Sequence, residues 1–197
     1  VIPKWVSAKW VSAKWVKWTS ELSEDVRRRL LSRSAPASAP TEALLGCLIY
    51  CAKTRPDVAY AISDAARFMG CWDNEHFAAA MRILRYLYTT RERCLHIRRD
   101  VVFDLYAYSD ANWSDPRETS KLTDDKYKAQ YGFVVSIGGC LLSWTSRRQQ
   151  SRAQSSMESE FYAACEATKE VVWWRTLMNE LCLKQEKPTV IYEDNKA

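Results

Sequence analysis

Four carboxylates stand where chemistry could converge: Asp110, Glu158, Glu160 and Asp194. Asp110 closes the strand-like run VVFDLYAYSD and Asp194 closes KPTVIYED, while the two glutamates open the helical sequence SMESEFYAAC between them. Acids at strand ends of α/β proteins lie in the crevice where ligands bind. Two or three ionised carboxylates gathered there repel one another unless a divalent cation joins them. Mg²⁺ suits such a site because it takes hard oxygen ligands and keeps several waters, and Mn²⁺ shares that preference. Two such ions about 3.5–4 Å apart would flank a phosphodiester and stabilise its attacking and leaving oxygens. The competing reading is local, since acids at strand ends also form turns, as Asp194–Asn195 is suited to do.

Glu158 and Glu160 cannot share one task, because helix positions two apart point about 200° away from each other. The run Ser155-Ser156-Met157-Glu158 fits the capping box S-x-x-E, in which the serine accepts from the third amide of the helix and the glutamate reaches back. Glu158 therefore has a structural occupation. Glu160 has none, and it lies beside the stripe Phe161, Ala164, Cys165, Thr168 and Val172, from which a carboxylate can point over a sheet. Glu160 is the expected ligand.

The elements that must position these acids follow from pattern. After residue 100 the chain alternates as a strand to Asp110, crosses a polar stretch over 112–130, and enters YGFVVSI, Gly138–Gly139 and CLLSWTS, a hairpin signal. RRQQSR follows as a basic loop carrying Arg147, Arg148 and Arg152, then helical sequence over 156–183 and a last strand in KPTVIYEDN. Strand, hairpin, helix and strand predict an α/β sheet that the sequence does not complete. Upstream, EALLGCLIYCAK predicts a helix over 42–53, VAYAISDAARFM one ending near 69 behind a Thr54 cap, and a third covers 74–90. The third carries a stripe of Phe77, Met81, Leu84, Tyr86, Leu87 and Tyr88. The domain reading is thus a tail and linker over 1–41, a small helical unit over 42–97 and the sheet unit over 98–197. The tail contains VSAKW twice in tandem, a period of five that fits neither helix nor strand. It reads as a low-complexity segment, with stacking on nucleic acid as the alternative.

Composition sets the outer bounds. Of 197 residues, 47% are hydrophobic and 27% charged, which excludes wholesale disorder, and the net charge of +5 leans mildly toward polyanionic partners. The seven cysteines are scattered without a C-x-x-C, and His76 and His96 stand near no cysteine cluster, so a tetrahedral zinc site is disfavoured. No apolar run reaches the ~18 residues of a membrane span, and no signal-peptide core is present, so neither membrane insertion nor secretion is expected. The sequence begins at Val1 and stops at Ala197 just after a strand-like run, and reads as a piece of something longer.

YSDANWSD, YGFVVSIGGCLLSWTSRRQ, SSMESEFYAACEATKEVVWWR and TVIYEDN together resemble the ribonuclease H domain of copia-type retrotransposon polyproteins. ALLGCLIYCAKTRPDVAYAIS and RILRYLYTT resemble the end of the same family's reverse transcriptase and its connection, so the resemblance covers about residues 42–197. It implies a ribonuclease H-like mixed sheet that cuts the RNA strand of an RNA–DNA hybrid with two Mg²⁺ ions. The family's catalytic acids fall on Asp110, Glu160 and Asp194, in agreement with the capping argument. It also implies a setting in a virus-like particle of the cytoplasm or in the nucleus, with the rest of the polyprotein as partner.

Three departures accompany it. The family's fourth acid, with its last strand and helix, lies further along than Ala197. Its Ser-Thr-Ser-Gly before the second strand is replaced by Lys128-Ala129-Gln130-Tyr131-Gly132, and the polymerase aspartates would precede Val1. The alternative function is an inactive remnant that at most binds nucleic acid through Arg147, Arg148 and Arg152. An integrase is set aside because its glutamate comes last in sequence, whereas Glu160 lies between the aspartates. A Ser–His–Asp hydrolase is disfavoured, since neither histidine sits in a nucleophile elbow.

Overall fold

A computed structural model of the chain describes residues 41–70, 73–98, 103–113 and 128–194. The VSAKW repeat and most of the Ser/Ala/Pro linker lie outside these residues. Two compact units divide between Leu95 and His96.

In the first unit, helix α1 (Thr41–Cys51) leads to a 3-10 turn (Pro56–Val58), helix α2 (Ala59–Ala66) and helix α3 (Asn74–Thr89). Thr54 does not cap the second helix. Its hydroxyl donates to the Cys51 carbonyl at 3.2 Å, finishing the helix before it, and Arg55 holds the cap position ahead of Pro56. The regular α2 stops at Ala66 and the expected extension to 69 is turn. The α3 cap is Asp73, whose carboxylate accepts the backbone N–H groups of Glu75 and His76, both at 2.9 Å, while His76 Nδ1 accepts the Asp73 N–H at 3.3 Å. Leu45, Leu48, Val58, Ile62, Ala80, Ile83 and Leu87 form the core of the unit. Of the expected α3 stripe, Met81, Leu84 and Leu87 are buried, joined by Ala80 and Ile83, whereas Tyr88 is exposed.

In the second unit, β1 (Leu105–Asn112), β2 (Gln130–Ile137), β3 (Cys140–Arg148), helix α4 (Ser156–Glu180) and β4 (Val190–Tyr192) follow in order. The sheet runs β3-β2-β1-β4, with β1, β2 and β3 antiparallel and β4 parallel to β1. The β2–β3 turn is built on Gly138 (φ 54°) and Gly139 (φ 83°), left-handed values that exclude most side chains and that a two-residue hairpin needs. Helix α4 lies across one face of β1 and β2. Leu105, Ala107, Val135, Ile137 and Cys140 meet Val171 and Met178 beneath it.

The face that α4 buries differs from the expected stripe. Phe161, Cys165, Thr168 and Val172 are exposed, and Ser159, Glu160, Ala163, Ala167 and Val171 are buried. The helix carries apolar side chains on all sides, so periodicity does not choose its inner face. Small residues let the backbone approach the sheet, and two alanines that are fully buried mark that approach.

Candidate metal centre

Register brings the two aspartates side by side. Tyr108 on β1 pairs with Tyr192 on its parallel neighbour β4, so Asp110 and Asp194, each two residues further on, continue along adjacent tracks. Asp110 is not the last residue of its strand, as the sequence suggested. β1 continues to Asn112, with Asp110 opposite Gly132 of β2. Asp194 lies two residues past β4. Glu160, in the second turn of α4, completes the group: carboxylate oxygens of Asp110, Glu160 and Asp194 all lie within 4.8 Å of one another.

Glu158 is absent from this cluster. Ser155 Oγ accepts the Glu158 backbone N–H at 3.1 Å, and the Glu158 carboxylate accepts the Gln154 N–H at 2.6 Å. The reciprocal bond of the box thus falls one residue earlier than the pattern specifies, and Glu158 stays exposed at the helix entrance.

Burial sets the electrostatics. Glu160 is 8% exposed, whereas Asp110 and Asp194 are open to solvent. Desolvation pushes the Glu160 carboxyl above the ordinary range, the nearby Asp110 charge adds to it, and Glu193 and Asp194 add less. The Ala111 backbone N–H pulls the other way. Glu160 Oε2 is buried without a hydrogen-bond partner. Such an orphaned acceptor, beside two further carboxylates, fits a hard divalent cation, which takes oxygen ligands and offsets their repulsion.

The basic residues divide. Arg147 and Arg148 are not in a loop: they end β3, paired with Tyr131 and Gln130 respectively. Neighbouring strand residues face opposite sides of the sheet, and accordingly Arg147 is exposed while Arg148 is half-buried. Arg152 is exposed in the loop before α4. The three do not form one patch on one face.

Two contacts that sequence reasoning missed tie this loop down. Trp113 Nε1 donates to the Ala153 carbonyl at 3.0 Å, and the Gln149 amide Nε2 donates to the Ser159 carbonyl at 2.8 Å. Neither a tryptophan past a strand nor a glutamine in a basic run carries a periodicity that would have flagged it.

A four-stranded mixed sheet with this order, one helix across its face and acids at adjacent strand positions is consistent with a ribonuclease H-like fold. Over 158 residues, 79% of the chain, the sequence is 35% identical to the "Retrovirus-related Pol polyprotein from transposon RE1" of Arabidopsis thaliana. Over 162 residues it is 33% identical to the corresponding polyprotein from transposon TNT 1-94 of Nicotiana tabacum. It is also 34% identical to "Secreted RxLR effector protein 161" of Plasmopara viticola, across 68% of this chain and 90% of that protein. Its homologues thus include retrovirus-related Pol polyproteins of transposons, matched over 79–82% of this chain. It spans 10% of the RE1 polyprotein and 12% of the TNT 1-94 polyprotein. No family model matches the chain, and no solved structure matches it. No helix of the described residues is long and apolar enough to cross a membrane.

Proposed function

We propose that the second unit is the ribonuclease H portion of a copia-type Pol polyprotein and hydrolyses the RNA strand of an RNA–DNA hybrid. The first unit is then the end of the reverse transcriptase and its connection. The observation that carries this reading is the convergence of Asp110, Glu160 and Asp194 within 4.8 Å, with one carboxylate oxygen of Glu160 buried and unpartnered. In it these three residues would hold Mg²⁺ or Mn²⁺, as a pair of ions. When bound, the metal supplies Lewis-acid stabilisation of charge on the phosphodiester oxygens and an activated water.

The chain's own residues set the conditions for that chemistry. Asp110 and Asp194 offer their carboxylates from the solvent side, where a nucleic-acid backbone can approach. Glu160 offers its own from the helix side, where desolvation strengthens any interaction with a cation. Glu160 offers a ligand only when ionised, and burial raises its carboxyl, so cation affinity should fall as pH drops through the range where that carboxyl takes up a proton. Arg147 and Arg152, both exposed, supply positive charge for phosphates next to the site.

The test is cleavage of labelled RNA in a hybrid with Mg²⁺ or Mn²⁺, comparing the chain with Asp110→Asn. Metal-dependent cleavage lost in the variant supports the reading. Hybrid binding without cleavage in either protein supports the inactive remnant instead. The basic residues are tested separately: Arg147→Gln with Arg152→Gln should reduce the salt slope of hybrid binding by up to about two contacts. An unchanged slope removes both from the interface.

A further inference from the structure

We infer that Gln149 is a positioning residue, whose side-chain amide fixes the first turns of α4 and thereby aims the Glu160 carboxylate at Asp110 and Asp194. This rests on the metal-centre reading above. Gln149 is 2% exposed and Ser159 is 0% exposed, a concentration of polar groups unusual for a dry interior. The amide donates to the Ser159 carbonyl at 2.8 Å, and because the partner is a carbonyl, the donating atom must be Nε2. Ser159 immediately precedes Glu160 in the chain.

The other end of the brace is anchored in the sheet. The Gln149 backbone N–H donates to the carbonyl of Ala129 at 2.9 Å, and Ala129 is itself buried at 1% exposure. Gln149 therefore links the entrance of β2, through the exit of β3, to Ser159, the residue just before Glu160. Ser159 Oγ is turned inward along its own helix, donating to the Ser156 carbonyl at 2.7 Å, so the brace reaches the backbone and not the serine hydroxyl. Further along α4, Trp174 Nε1 donates to Ser143 Oγ at 3.0 Å, a second bond between helix and β3 that holds its distal part. Two such points determine how the helix lies on the sheet, and the one beside Glu160 governs the carboxylate. Partners that orient metal ligands from behind typically change affinity 10–100-fold when removed.

The experiment measures Mn²⁺ binding to the full 197-residue chain by electron paramagnetic resonance, with thermal unfolding recorded on each variant. Gln149→Met keeps length and volume without the donor, and should weaken Mn²⁺ binding about tenfold or more. Should it not fold, Gln149→Asn, which keeps an amide but withdraws it by one methylene, carries the same test. Val171→Ala, which thins the core under α4 away from the acids, is the control for destabilisation alone and should leave affinity within about twofold. Mn²⁺ binding by the Gln149 variant within about twofold of wild type overturns the role, with the metal reading intact. An equal loss of affinity in Val171→Ala at matched unfolding temperature also overturns it, because Gln149 would then be only structural. If wild type shows no Mn²⁺ binding that Asp110→Asn abolishes, the metal reading itself fails and this inference falls with it.

Discussion

Each unit of the molecule sets one carboxylate in an unusual state, and the two states are opposite. In the helical unit, Asp57 accepts Arg55 Nε at 2.9 Å and Nη2 at 2.7 Å, and the Tyr86 hydroxyl donates to it at 3.0 Å. Arg55 also donates to the Thr90 carbonyl at 3.1 Å and to its hydroxyl at 2.7 Å, so the network ties the turn before α2 to the end of α3. The Arg55 hydrogen bond holds the Asp57 carboxyl below its ordinary range. In the sheet unit, Glu160 is pushed above its ordinary range by burial, has an oxygen without a partner, and faces other acids. An acid satisfied by its neighbours is a structural device. An acid left unsatisfied among like charges is the feature on which the proposed metal reading rests.

Glu160→Gln should break the contrast most forcefully. Removing one ligand charge should lower hybrid cleavage roughly a thousandfold, the rate equivalent of the several kcal/mol that a bound metal contributes. The same substitution should raise the metal-free unfolding temperature by a few degrees, because it removes a buried charge facing like charges. Activity and stability measured on the same protein check both, and a drop in both would mean that Glu160 is a fold-supporting residue.

Asp57→Asn should act in the reverse sense, destabilising by about 1 kcal/mol. The network lies near the surface and solvent moderates its strength, so a larger value is not expected. Chemical denaturation with cleavage assayed in parallel should show lowered stability without loss of chemistry.

A pH series in chelator sharpens the sign. The Glu160 carboxyl is raised when folded, so its stability cost is present at neutral pH and disappears as pH falls through the folded value toward 4.5. The gap in unfolding temperature between wild type and Glu160→Gln should close over that range. Asp57 is depressed when folded, so its contribution persists above 3.8 and is lost only as pH falls through the lower folded value. The gap between wild type and Asp57→Asn should therefore survive to more acidic pH.

Glu158→Gln gives the smallest effect. It weakens a cap at the α4 entrance and should cost about 0.5–1 kcal/mol, with cleavage within a few-fold of wild type. A cleavage loss comparable to that of Glu160→Gln would mean that the two glutamates had been assigned the wrong way round.

These residues also show what is readable without a structure. The hairpin was legible because only glycine readily takes two successive left-handed conformations, and the cap was legible because S-x-x-E is a local bond pattern. That Glu160, and not Glu158, lies beside Asp110 is a placement the cap alone makes legible. The inner face of α4 was not legible: bulky Phe161 and Val172 outrank Ala163 and Ala167 on any hydrophobicity scale, yet close packing on a sheet selects the small residues. The run RRQQSR has the composition of a basic loop, yet pairing with Tyr131 and Gln130 carries β3 through Arg147 and Arg148. Gln149 was invisible for a related reason, since burial of a polar side chain depends on a distant carbonyl that no local window contains.

β4 is three residues long and, among the described residues, borders the sheet, pairing with β1 alone. A strand so short opens more readily than the elements around it, and its backbone amides should exchange with solvent well before those of β1 or β2. Asp194 travels with it. A cation held by Asp110, Glu160 and Asp194 would bind the closed form and not the open one, and so would clamp the strand in place. Part of its intrinsic affinity is then absorbed in ordering the edge, and measured affinity should tighten in any variant that fastens β4 beforehand. Amide exchange at Val190 and Ile191, followed as Mn²⁺ is titrated, would register the closing of that edge directly.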